Sequence, residues 1–596
     1  MHDLRTRDAK TKGQMMNTTI LSTLLLSLCL LMPGRSAQAG QTVWLSSLDL
    51  SKATQGWGKP KVSGVAPDTT VWTSRQLSID MAPAPERPEI HPPYIVGIRT
   101  RTPLIWTVPV SGERPLKFSA DSLPEGLALN PATGTLTGSL VKNGDYRIRI
   151  TVENYAGQDE RVIHVVAGKK IALTPPMGWN SYDSFGDNVT EGEVMANARY
   201  LAAKMQPFGW DTVVVDYRWY DPGAHDNNPN GRRGAKLAMD AFGRLLPAPN
   251  RFPSAADGGG FKPLADRIHA LGLKFGIHIM RGIPRNAVKA NLPIAGSDYT
   301  ARAAANTNDR CPWCPDMFGV RGNTPAGQAY YDSVFDLYAS WGVDYVKMDD
   351  TSSPYHKDEI EAVHRAIGRC GRSIVFSLSP GETPFADAAH VVRHANLWRV
   401  SGDFWDNWRS LDHEFVLGKR WQDYPGPGHW PDADMLPLGH LSIHGRSVGP
   451  DRRTRFTRNE QIAVLSLWAL LPSPLMMDGN LPDNDPWTLA LLTNPAVLAV
   501  SQDALGAAGH PVTQTQDSAI WSKKLADGSM AVGLFNRDDL EQRLRVNWSQ
   551  LGLSGRLHVR DLWLRKDFGL LEGGLEVPVP AHGAILLKVR REQPRL

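Results

Sequence analysis

Two carboxylates in this sequence stand where they could act on one substrate. A short, largely apolar run ends in Lys347, Asp349 and Asp350. Further along the chain, Asp403 follows Arg399 by four residues. Two carboxyl groups that flank a glycosidic bond can cleave it, one attacking the anomeric carbon while the other acts as acid and then as base. Taken alone, Asp349 and Asp350 could equally begin a loop and cap the helix that follows.

The motifs of other common catalytic sites are missing from the sequence. It has no Ser-His-Asp order with a nucleophile elbow, no His-Glu-x-x-His and no P-loop. The remaining polar groups are carboxylates and cations among many tryptophans, a combination that suits glycoside hydrolysis. Because this chemistry requires no cofactor and no metal ion, we predict neither.

Charge and aromatic content point to a carbohydrate partner. The formal net charge is only +4 over 596 residues, and no Lys/Arg run that would track phosphates appears, so a nucleic-acid partner is excluded. The 19 Trp and 14 Tyr residues offer flat faces that suit sugar rings, although most aromatic residues serve as core. We therefore predict an oligosaccharide or polysaccharide substrate.

Strands alternate with amphipathic helices from about residue 171 to 512, which is typical of β/α units. Eight strands in this stretch match a (β/α)8 TIM barrel, in which charged groups at the carboxyl ends of strands converge on the active site. An open doubly wound sheet is the rival, but no Gly-rich dinucleotide fingerprint follows an early strand. The predicted strands are Pro176–Trp179, Thr212–Asp216, Lys274–Ile279, Tyr345–Asp349, Ser373–Leu378, Leu397–Val400, Pro431–Leu436 and Ser473–Met477. The predicted helices include Glu191–Met205, Phe261–Leu271, Ala326–Trp341, Lys357–Arg369, Asp406–Leu417 and Arg458–Ala469.

The flanking regions are rich in β-structure. Residues 40–93 form a small β-rich segment that ends in a Pro-rich linker, and residues 94–168 alternate cleanly, as in Tyr146–Val152, which predicts a β-sandwich. From residue 513 to 596 short alternating strands return, which predicts a C-terminal antiparallel β-sandwich packed on the barrel. The N-terminal sandwich has no catalytic constellation, so we interpret it as a spacer or packing domain.

Residues 1–39 have the pattern of an export signal. A basic start precedes the apolar run Ile20–Leu31, and small residues at Ala37 and Ala39 fit cleavage before Gly40. The apolar run is too short to span a membrane comfortably. We expect a mature protein that is secreted or periplasmic and not inserted in a membrane.

Three cysteines remain after the signal: Cys311, Cys314 and Cys370. The Cys-Pro-Trp-Cys motif could be a local disulfide, a redox pair or half a metal site. No second pair stands at zinc spacing, and an oxidising compartment favours a structural disulfide between Cys311 and Cys314. Cys370 is then left over and is expected to be buried.

Several motifs, in order, resemble glycoside hydrolase family 27, the melibiase-type α-galactosidases. The resemblance covers roughly residues 172–510 and extends in outline to the C-terminal sandwich. A second resemblance, of Leu123–Asn130 and Thr133–Gly138, is to bacterial immunoglobulin-like modules. The motifs of the first are Thr174–Ser181, Gly243–Leu245, Arg251–Pro253, Leu271–Ile277, Trp341–Asp350, Pro425–Leu436 and Ala499–Gly506.

The family resemblance implies roles for the two carboxylates. Asp349, in the Lys-x-Asp motif, corresponds to the nucleophile, and Asp403 corresponds to the acid/base. Lys347 lies two residues earlier on the same strand face, so its charge would keep Asp349 ionised. Arg399 would orient sugar hydroxyls near the nucleophile. Asp403 must start protonated, which requires a higher pKa than that of Asp349.

The resemblance also implies substrate-binding residues. Trp179 would stack on the sugar and Asp216 would accept hydrogen bonds from its hydroxyls, while Asp434 would support the pocket floor. His278 could contact the sugar or merely fill the pocket wall. For Asp216 and Asp434 a purely structural role is the alternative.

The sequence departs from the family at Tyr217, where the α-galactosidases usually have a second Asp. That pair of acids reads the 4- and 6-hydroxyls of galactose, so the departure bears on the sugar. The sequence predicts a retaining exo-glycosidase acting on terminal α-D-galactosides. The alternatives are the same mechanism on β-L-arabinopyranosides or isomaltose-containing α-glucans, and a carbohydrate-binding protein that has lost catalysis.

Overall fold

The structure is a computed structural model that describes residues 76–225, 235–444 and 449–592. The predicted export signal and most of the predicted 40–93 segment lie outside these ranges. Within them, no helix is long and apolar enough to cross a membrane.

The N-terminal part of the described chain is a β-sandwich. Its longest hairpin pairs Gly144–Asn154 with Gly157–Gly168, and Ile148, Ile150 and Val152 are buried there in alternation with more exposed neighbours. This period of two is the pattern that predicts a strand with one face on a core. The strands are Glu89–Ile90, Ile95–Arg99, Leu104–Thr107, Val110–Ser111, Lys117–Asp121, Leu127–Leu129, Thr135–Gly138, Gly144–Asn154 and Gly157–Gly168.

The central part is a parallel eight-stranded barrel, as predicted. Its first to eighth strands are Met177–Asn180, Thr212–Val215, Lys274–Met280, Tyr345–Asp349, Val375–Leu378, Leu397–Arg399, Trp430–Asp432 and Leu475–Met477. The first seven strands pair in sequence order, and the first also pairs with the eighth. The ring closes beyond the seventh strand, where Leu436 N donates to Met476 O (2.7 Å) and Leu436 O accepts from Asp478 N (3.2 Å).

Helices surround the barrel and cover the outer faces of its strands. The helix before the fourth strand begins after Thr324, whose hydroxyl accepts from Gly327 N (3.1 Å), and ends at Gly342 with a φ of 85°. The larger helices are Glu191–Tyr200, Lys262–Ala270, Pro325–Trp341, Lys357–Arg369, Ala388–His394, Trp408–Trp421, Arg458–Leu470, Pro486–Leu492 and Pro495–Ser501, and shorter ones are Tyr182–Phe185, Arg285–Ala290 and Ala301–Ala304.

Some predicted boundaries differ from the observed ones for local reasons. The predicted helix Asp406–Leu417 begins instead at Trp408, because Asn407 Oδ1 accepts from Ser410 N (3.0 Å) and caps it. The predicted strand Pro431–Leu436 ends at Asp432, and Asp434 then takes a φ of 79°, which breaks the extended chain.

A long insertion follows the third barrel strand. It carries a small antiparallel sheet of Ile283–Pro284, Met317–Val320 and Ala305–Asn306, together with the Cys-Pro-Trp-Cys motif. A second small sheet, His440–Leu441 with Arg452–Arg453, follows the seventh strand. Loops at the carboxyl ends of barrel strands shape the active site, so both insertions lie at the functional end of the barrel.

The N-terminal sandwich contacts the opposite end of the barrel. Arg99 N donates to Ser373 Oγ (3.0 Å), and Thr107 Oγ1 donates to Gly272 O (3.1 Å). Ser373 and Gly272 each precede a barrel strand by about two residues, so this domain binds at the amino ends of the strands. The position fits the predicted packing role.

The C-terminal part is an antiparallel β-sandwich, as predicted. The strands are His510–Gln514, Ser518–Lys524, Met530–Asn536, Gln542–Asn547, Arg556–Asp561, Lys566–Glu572, Gly574–Val579 and Ala584–Arg591. Lys523 is buried where this domain meets the barrel, and its Nζ donates to Ala469 O (2.9 Å) and Val500 O (2.6 Å). Burial lowers the pKa of Lys523 to about 7.

The buried Lys523 makes the free energy of unfolding depend on pH in the alkaline range. Since its pKa is lower in the folded state than in the unfolded chain, the unfolded chain binds more protons between about pH 7 and pH 10, and stability rises with pH over that window. We expect Lys523→Met to lose this rise, measured as thermal midpoints from pH 7 to pH 10.

The matched control is Lys524→Met, because Lys524 is the next residue of the same strand and is exposed. It should keep the wild-type pH profile. Parallel profiles for wild type and Lys523→Met would contradict the prediction.

Candidate active site

The carboxyl ends of the barrel strands bring the predicted site residues together. In the ladder between the third and fourth strands, His278 stands beside Lys347 and Met280 beside Asp349. Asp349 Oδ2 lies 3.2 Å from His278 Nε2, and Asp349 Oδ1 accepts from Asp350 N (2.9 Å). The Asp349 side chain keeps 18% of its surface exposed.

Asp350 faces away from the site. Its φ of 61° turns the chain, and its carboxylate lies 2.8 Å from Arg281 Nη2. The same guanidinium also pairs with Asp309 (2.8 Å) and Glu359 (2.5 Å). Asp350 is therefore part of a buried ion-pair network that anchors the loop after the fourth strand.

Lys347 is a buried cation among carboxylates. Its Nζ lies 3.1 Å from Asp216 Oδ2 and 3.4 Å from Met435 Sδ. Burial disfavours the charge, but Asp216 and Asp434 outweigh burial and raise the pKa of Lys347. Asp349 raises the pKa of Lys347 less strongly than Asp216 does. The main ion-pair partner of Lys347 is therefore Asp216 and not Asp349.

Asp216 is an ionised acceptor at the end of the second strand. It is buried, yet the charges of Lys347 and His278 and the hydrogen bond from Asn180 Nδ2 (2.6 Å) lower its pKa to about 2 against the effect of burial. Tyr217 N also donates to Asp216 Oδ1 (2.7 Å). Such a carboxylate can accept hydrogen bonds from sugar hydroxyls at any physiological pH.

Arg399 connects the sixth strand to two acids. Its Nη2 lies 2.7 Å from Asp434 Oδ2 and 3.3 Å from Asp403 Oδ1. Burial opposes the charge of Arg399, but Asp434 and Asp403 outweigh burial and raise its pKa. Asp434 is buried, whereas the Asp403 side chain is 67% exposed.

Asp434 links the seventh strand to the loop that carries Asp403. Its Oδ2 accepts from Phe404 N (2.8 Å), the residue after Asp403. Burial raises the pKa of Asp434 to about 6 in spite of the Arg399 charge. Asp434 thus connects Arg399 to the loop that carries Asp403.

The two predicted aromatic contacts are buried. Trp179 has no exposed surface, and its Nε1 donates to Gly479 O (3.0 Å). Tyr217 is 4% exposed, and its ring meets His278 edge-on at 5.4 Å and Trp313 at 5.9 Å. The stacking role of Trp179 stays a prediction, and any contact of the sugar with it would involve a small part of the ring.

The predicted disulfide between Cys311 and Cys314 is not formed, and both are free thiols. Cys311 Sγ accepts from Cys314 N (3.3 Å), whereas Cys314 Sγ accepts from Tyr217 Oη (3.3 Å). The two sulfurs therefore accept hydrogen bonds from different groups and are not bonded to each other. The spacing of the cysteines in the sequence does not reveal this difference. Cys370 is half-buried, and its thiol donates to Ile367 O (3.4 Å).

Sequence reasoning missed three site residues: Tyr182, Asp183 and Asp478. They follow the first and eighth strands, Met177–Asn180 and Leu475–Met477. Burial raises the pKa of Asp183 to about 8 and also raises that of Asp478, so the neighbouring pair retains a proton at neutral pH. Burial raises the pKa of Tyr182, and the charge of Asp403 adds to this rise.

Two groups of side chains outside the site have their ligand atoms close enough for a metal ion: Asp309, His356 and Glu359, and Glu361, His390 and His394. Arg281 already pairs with Asp309 and Glu359 of the first group. Neither group includes a predicted site residue.

Comparisons with known proteins agree with this architecture. The family model described as alpha galactosidase A matches residues 317–503, and that of the alpha galactosidase C-terminal beta sandwich domain matches residues 515–589. A putative Ig domain model matches residues 87–167. The predictions of a melibiase-type barrel and an immunoglobulin-like module are confirmed.

Individual relatives and solved structures are hydrolases of the same kind. Alpha-galactosidase A of Cellvibrio japonicus is 30% identical, over 71% of this chain and 93% of that protein. A GH27 β-L-arabinopyranosidase from Geobacillus stearothermophilus is 49% identical, covering 71% of this chain and 98% of that chain, with a TM-score of 0.69. A putative α-galactosidase/melibiase from Bacteroides fragilis is 27% identical, covering 85% and 98%, also with a TM-score of 0.69.

These matches cover nearly the whole length of each relative. The chain belongs to glycoside hydrolase family 27 and is a glycoside hydrolase.

Proposed function

We propose that this protein is a retaining exo-glycosidase in which Asp349 is the nucleophile and Asp403 the acid/base. The observation that carries the proposal is the solvent exposure of the carboxylate side chains in the site. The side chains of Asp349 and Asp403 are 18% and 67% exposed, whereas those of Asp216 and Asp434 are 3% and 4% exposed. The two most exposed of these four carboxylates are therefore the two that the family motifs assign to catalysis.

In the first step Asp349 attacks the anomeric carbon while Asp403 gives its proton to the departing glycosidic oxygen. The products are a glycosyl ester of Asp349 and the free aglycone. In the second step the ionised Asp403 takes a proton from water, whose oxygen attacks the same carbon and releases Asp349. Two inversions at one carbon leave its configuration retained.

The neighbouring charges suit these roles. His278 Nε2 and the Asp350 amide contact different oxygens of Asp349 and can hold it in one orientation. Arg399 lies at hydrogen-bond distance from Asp403 and bonds more closely to Asp434.

The proposal also concerns the identity of the terminal sugar, for which Tyr217 is the informative residue. A β-L-arabinopyranoside has the ring configuration of an α-D-galactoside but lacks the C6 hydroxymethyl group. The phenol of Tyr217 occupies the place of an acid that would read hydroxyls, and it is fixed by Cys314 and packed against His278 and Trp313. A bulky ring there leaves less room for C6.

We therefore infer that the enzyme acts on terminal sugars of the galacto configuration and prefers β-L-arabinopyranosides to α-D-galactosides. The sequence motifs favour α-D-galactosides because the family as a whole shares them. Tyr217 and the 49% identity to the Geobacillus arabinopyranosidase favour the pentose. Nothing in the site specifically favours an isomaltose-containing α-glucan.

Replacing either catalytic carboxylate tests the mechanism. We expect Asp349→Asn to lower kcat on nitrophenyl glycosides by at least about a thousandfold, because the attacking oxyanion is lost. Asp403→Asn should lower kcat/KM strongly on disaccharides but much less on 2,4-dinitrophenyl glycosides, because kcat/KM reports the first step and this leaving group needs no proton.

Asp350→Asn is the matched control. It should keep most of kcat and lower the thermal midpoint, because Arg281 loses an ion-pair partner. Proton NMR should show that the sugar first released keeps the anomeric configuration of the substrate. An inverted product, or wild-type kcat in Asp349→Asn, contradicts the mechanism.

Exchanging Tyr217 tests the sugar preference. We expect wild type to have a higher kcat/KM on nitrophenyl β-L-arabinopyranoside than on nitrophenyl α-D-galactoside. Tyr217→Asp should shift that ratio toward the galactoside by at least about tenfold, since it opens space and supplies a hydroxyl acceptor. Tyr217→Phe keeps the ring and should leave the ratio within twofold; equal shifts in both variants would refute the role of ring size.

A further inference from the structure

Two helices on the outside of the barrel bring two histidines and a glutamate together. Glu361 lies on the helix Lys357–Arg369, which follows the fourth strand. His390 and His394 lie on the helix Ala388–His394, which follows the fifth strand. One nitrogen of each imidazole and one oxygen of the carboxylate all lie within 4.8 Å of one another. Imidazole nitrogens favour zinc and transition metals over Mg²⁺ and Ca²⁺, and two imidazoles with a carboxylate are a known ligand set for Zn²⁺.

The spacing of the two histidines puts both rings on one face of their helix. Residues four apart are neighbours on a helix surface, and the rings of His390 and His394 stack with their centroids 4.1 Å apart and their planes at 27°. His390 Nε2 lies 3.1 Å from Glu361 Oε1 on the neighbouring helix. Arg365 Nη1 lies 3.5 Å from the other carboxylate oxygen, Oε2, so this arginine leaves Oε1 to the histidines.

The distances between the three side chains suit a tetrahedral ion. For metal–ligand bonds of about 2.0–2.1 Å, two ligands of a tetrahedral zinc ion lie about 3.3 Å apart. His390 Nε2 and Glu361 Oε1 are already at 3.1 Å. Since no two of the three ligand atoms are more than 4.8 Å apart, the rest must approach by at most about 1.5 Å. Rotation of side chains supplies a movement of that size.

A backbone hydrogen bond determines which nitrogen of His394 is available. His394 Nδ1 lies 2.8 Å from the carbonyl oxygen of His390. Because a carbonyl oxygen only accepts, Nδ1 carries the proton, and the neutral ring has its lone pair on Nε2. Metal-binding histidines usually donate their other N–H to a carbonyl or carboxylate in this way, which orients the ring toward the metal.

His390 has a partner on each ring nitrogen. Its Nδ1 lies 2.7 Å from Tyr355 Oη, and its Nε2 faces Glu361. When Nδ1 donates to the Tyr355 hydroxyl oxygen, the Nε2 lone pair points at a carboxylate oxygen, and a cation between the two atoms is bound by both. Tyr355 is therefore the partner that orients His390.

His390 and Glu361 are in the protonation states that a metal ion requires, a neutral imidazole and an ionised carboxylate. Burial lowers the pKa of His390 against the opposing effect of the hydrogen bond with Glu361. That hydrogen bond lowers the pKa of Glu361. The His390 side chain is 8% exposed and that of Glu361 is 34% exposed, so an ion can enter from the glutamate side.

We propose that Glu361, His390 and His394 bind a Zn²⁺ ion that links the helices after the fourth and fifth barrel strands, with water in the remaining position. Tyr355 lies in the loop between Asp349 and the first of these helices, so the ion also ties that loop to the second helix. The ion is structural and takes no part in the cleavage of a glycoside. The proposal is independent of the proposed function.

Calorimetric titration of the protein, prepared without a histidine tag, with zinc chloride tests the site. We expect wild type to bind zinc at this site and to have a higher thermal midpoint with zinc than with EDTA, because an ion that binds only the folded chain stabilises it. His394→Ala should weaken this binding at least tenfold and remove most of the rise. Glu361→Gln is the second variant, because it removes the charge with little change of shape and should have the same effect.

Two further variants separate the ligands from other histidines and from their supporting residue. His413→Ala is the matched control: His413 is exposed and lies 3.7 Å from Glu382, but it belongs to neither group of potential metal ligands among the described residues. It should leave the zinc affinity within twofold. Tyr355→Phe should weaken zinc binding about tenfold while the ligands stay in place, which is the usual effect of losing a partner of a metal-binding histidine.

A crystal grown with zinc locates the ion directly. Anomalous scattering at the zinc absorption edge should give a peak between Glu361, His390 and His394. No zinc binding in wild type, a peak only at other residues, or unchanged affinity in both His394→Ala and Glu361→Gln overturns the proposal. None of these measurements uses a substrate, so they decide the metal site whether or not the protein cleaves a glycoside.

Discussion

Two buried cations, Lys347 and Arg399, hold the functional end of the barrel together. An isolated buried charge costs several kcal/mol, so neither cation nor its carboxylate partners would be stable there alone. Lys347 keeps Asp216 ionised, and Arg399 bonds both Asp434 and Asp403. The cations therefore decide which acids are charged, and so which can accept a hydrogen bond and which can carry a proton.

The functional end of the barrel is built from the barrel's own strands and loops. The immunoglobulin-like module contacts Ser373 and Gly272, at the amino ends of strands, and the C-terminal sandwich contacts Ala469 and Val500 through Lys523. Both domains add buried surface to the barrel. Among the residues that the structure describes, neither domain supplies a side chain to the candidate site.

One insertion supports a wall of the candidate site. The loop after the third strand carries Cys314, whose Sγ accepts a hydrogen bond from the phenol of Tyr217. In a barrel of this kind the strands fix the catalytic carboxylates while loops vary the specificity. A change in this insertion can therefore alter the position of Tyr217 without moving the strands.

The sequence by itself determined most of the barrel strands and helices, and its family motifs singled out the two most exposed of the four site carboxylates. The predicted bounds Tyr345–Asp349 and Lys357–Arg369 are those observed, because apolar runs and helical periodicity are local properties. Only the tertiary structure decided which charges pair. Lys347 was predicted to serve Asp349 on its own strand, yet its nearest carboxylate is Asp216, two strands away. The stagger of the barrel sets such contacts between strands, and no spacing along the chain encodes that stagger.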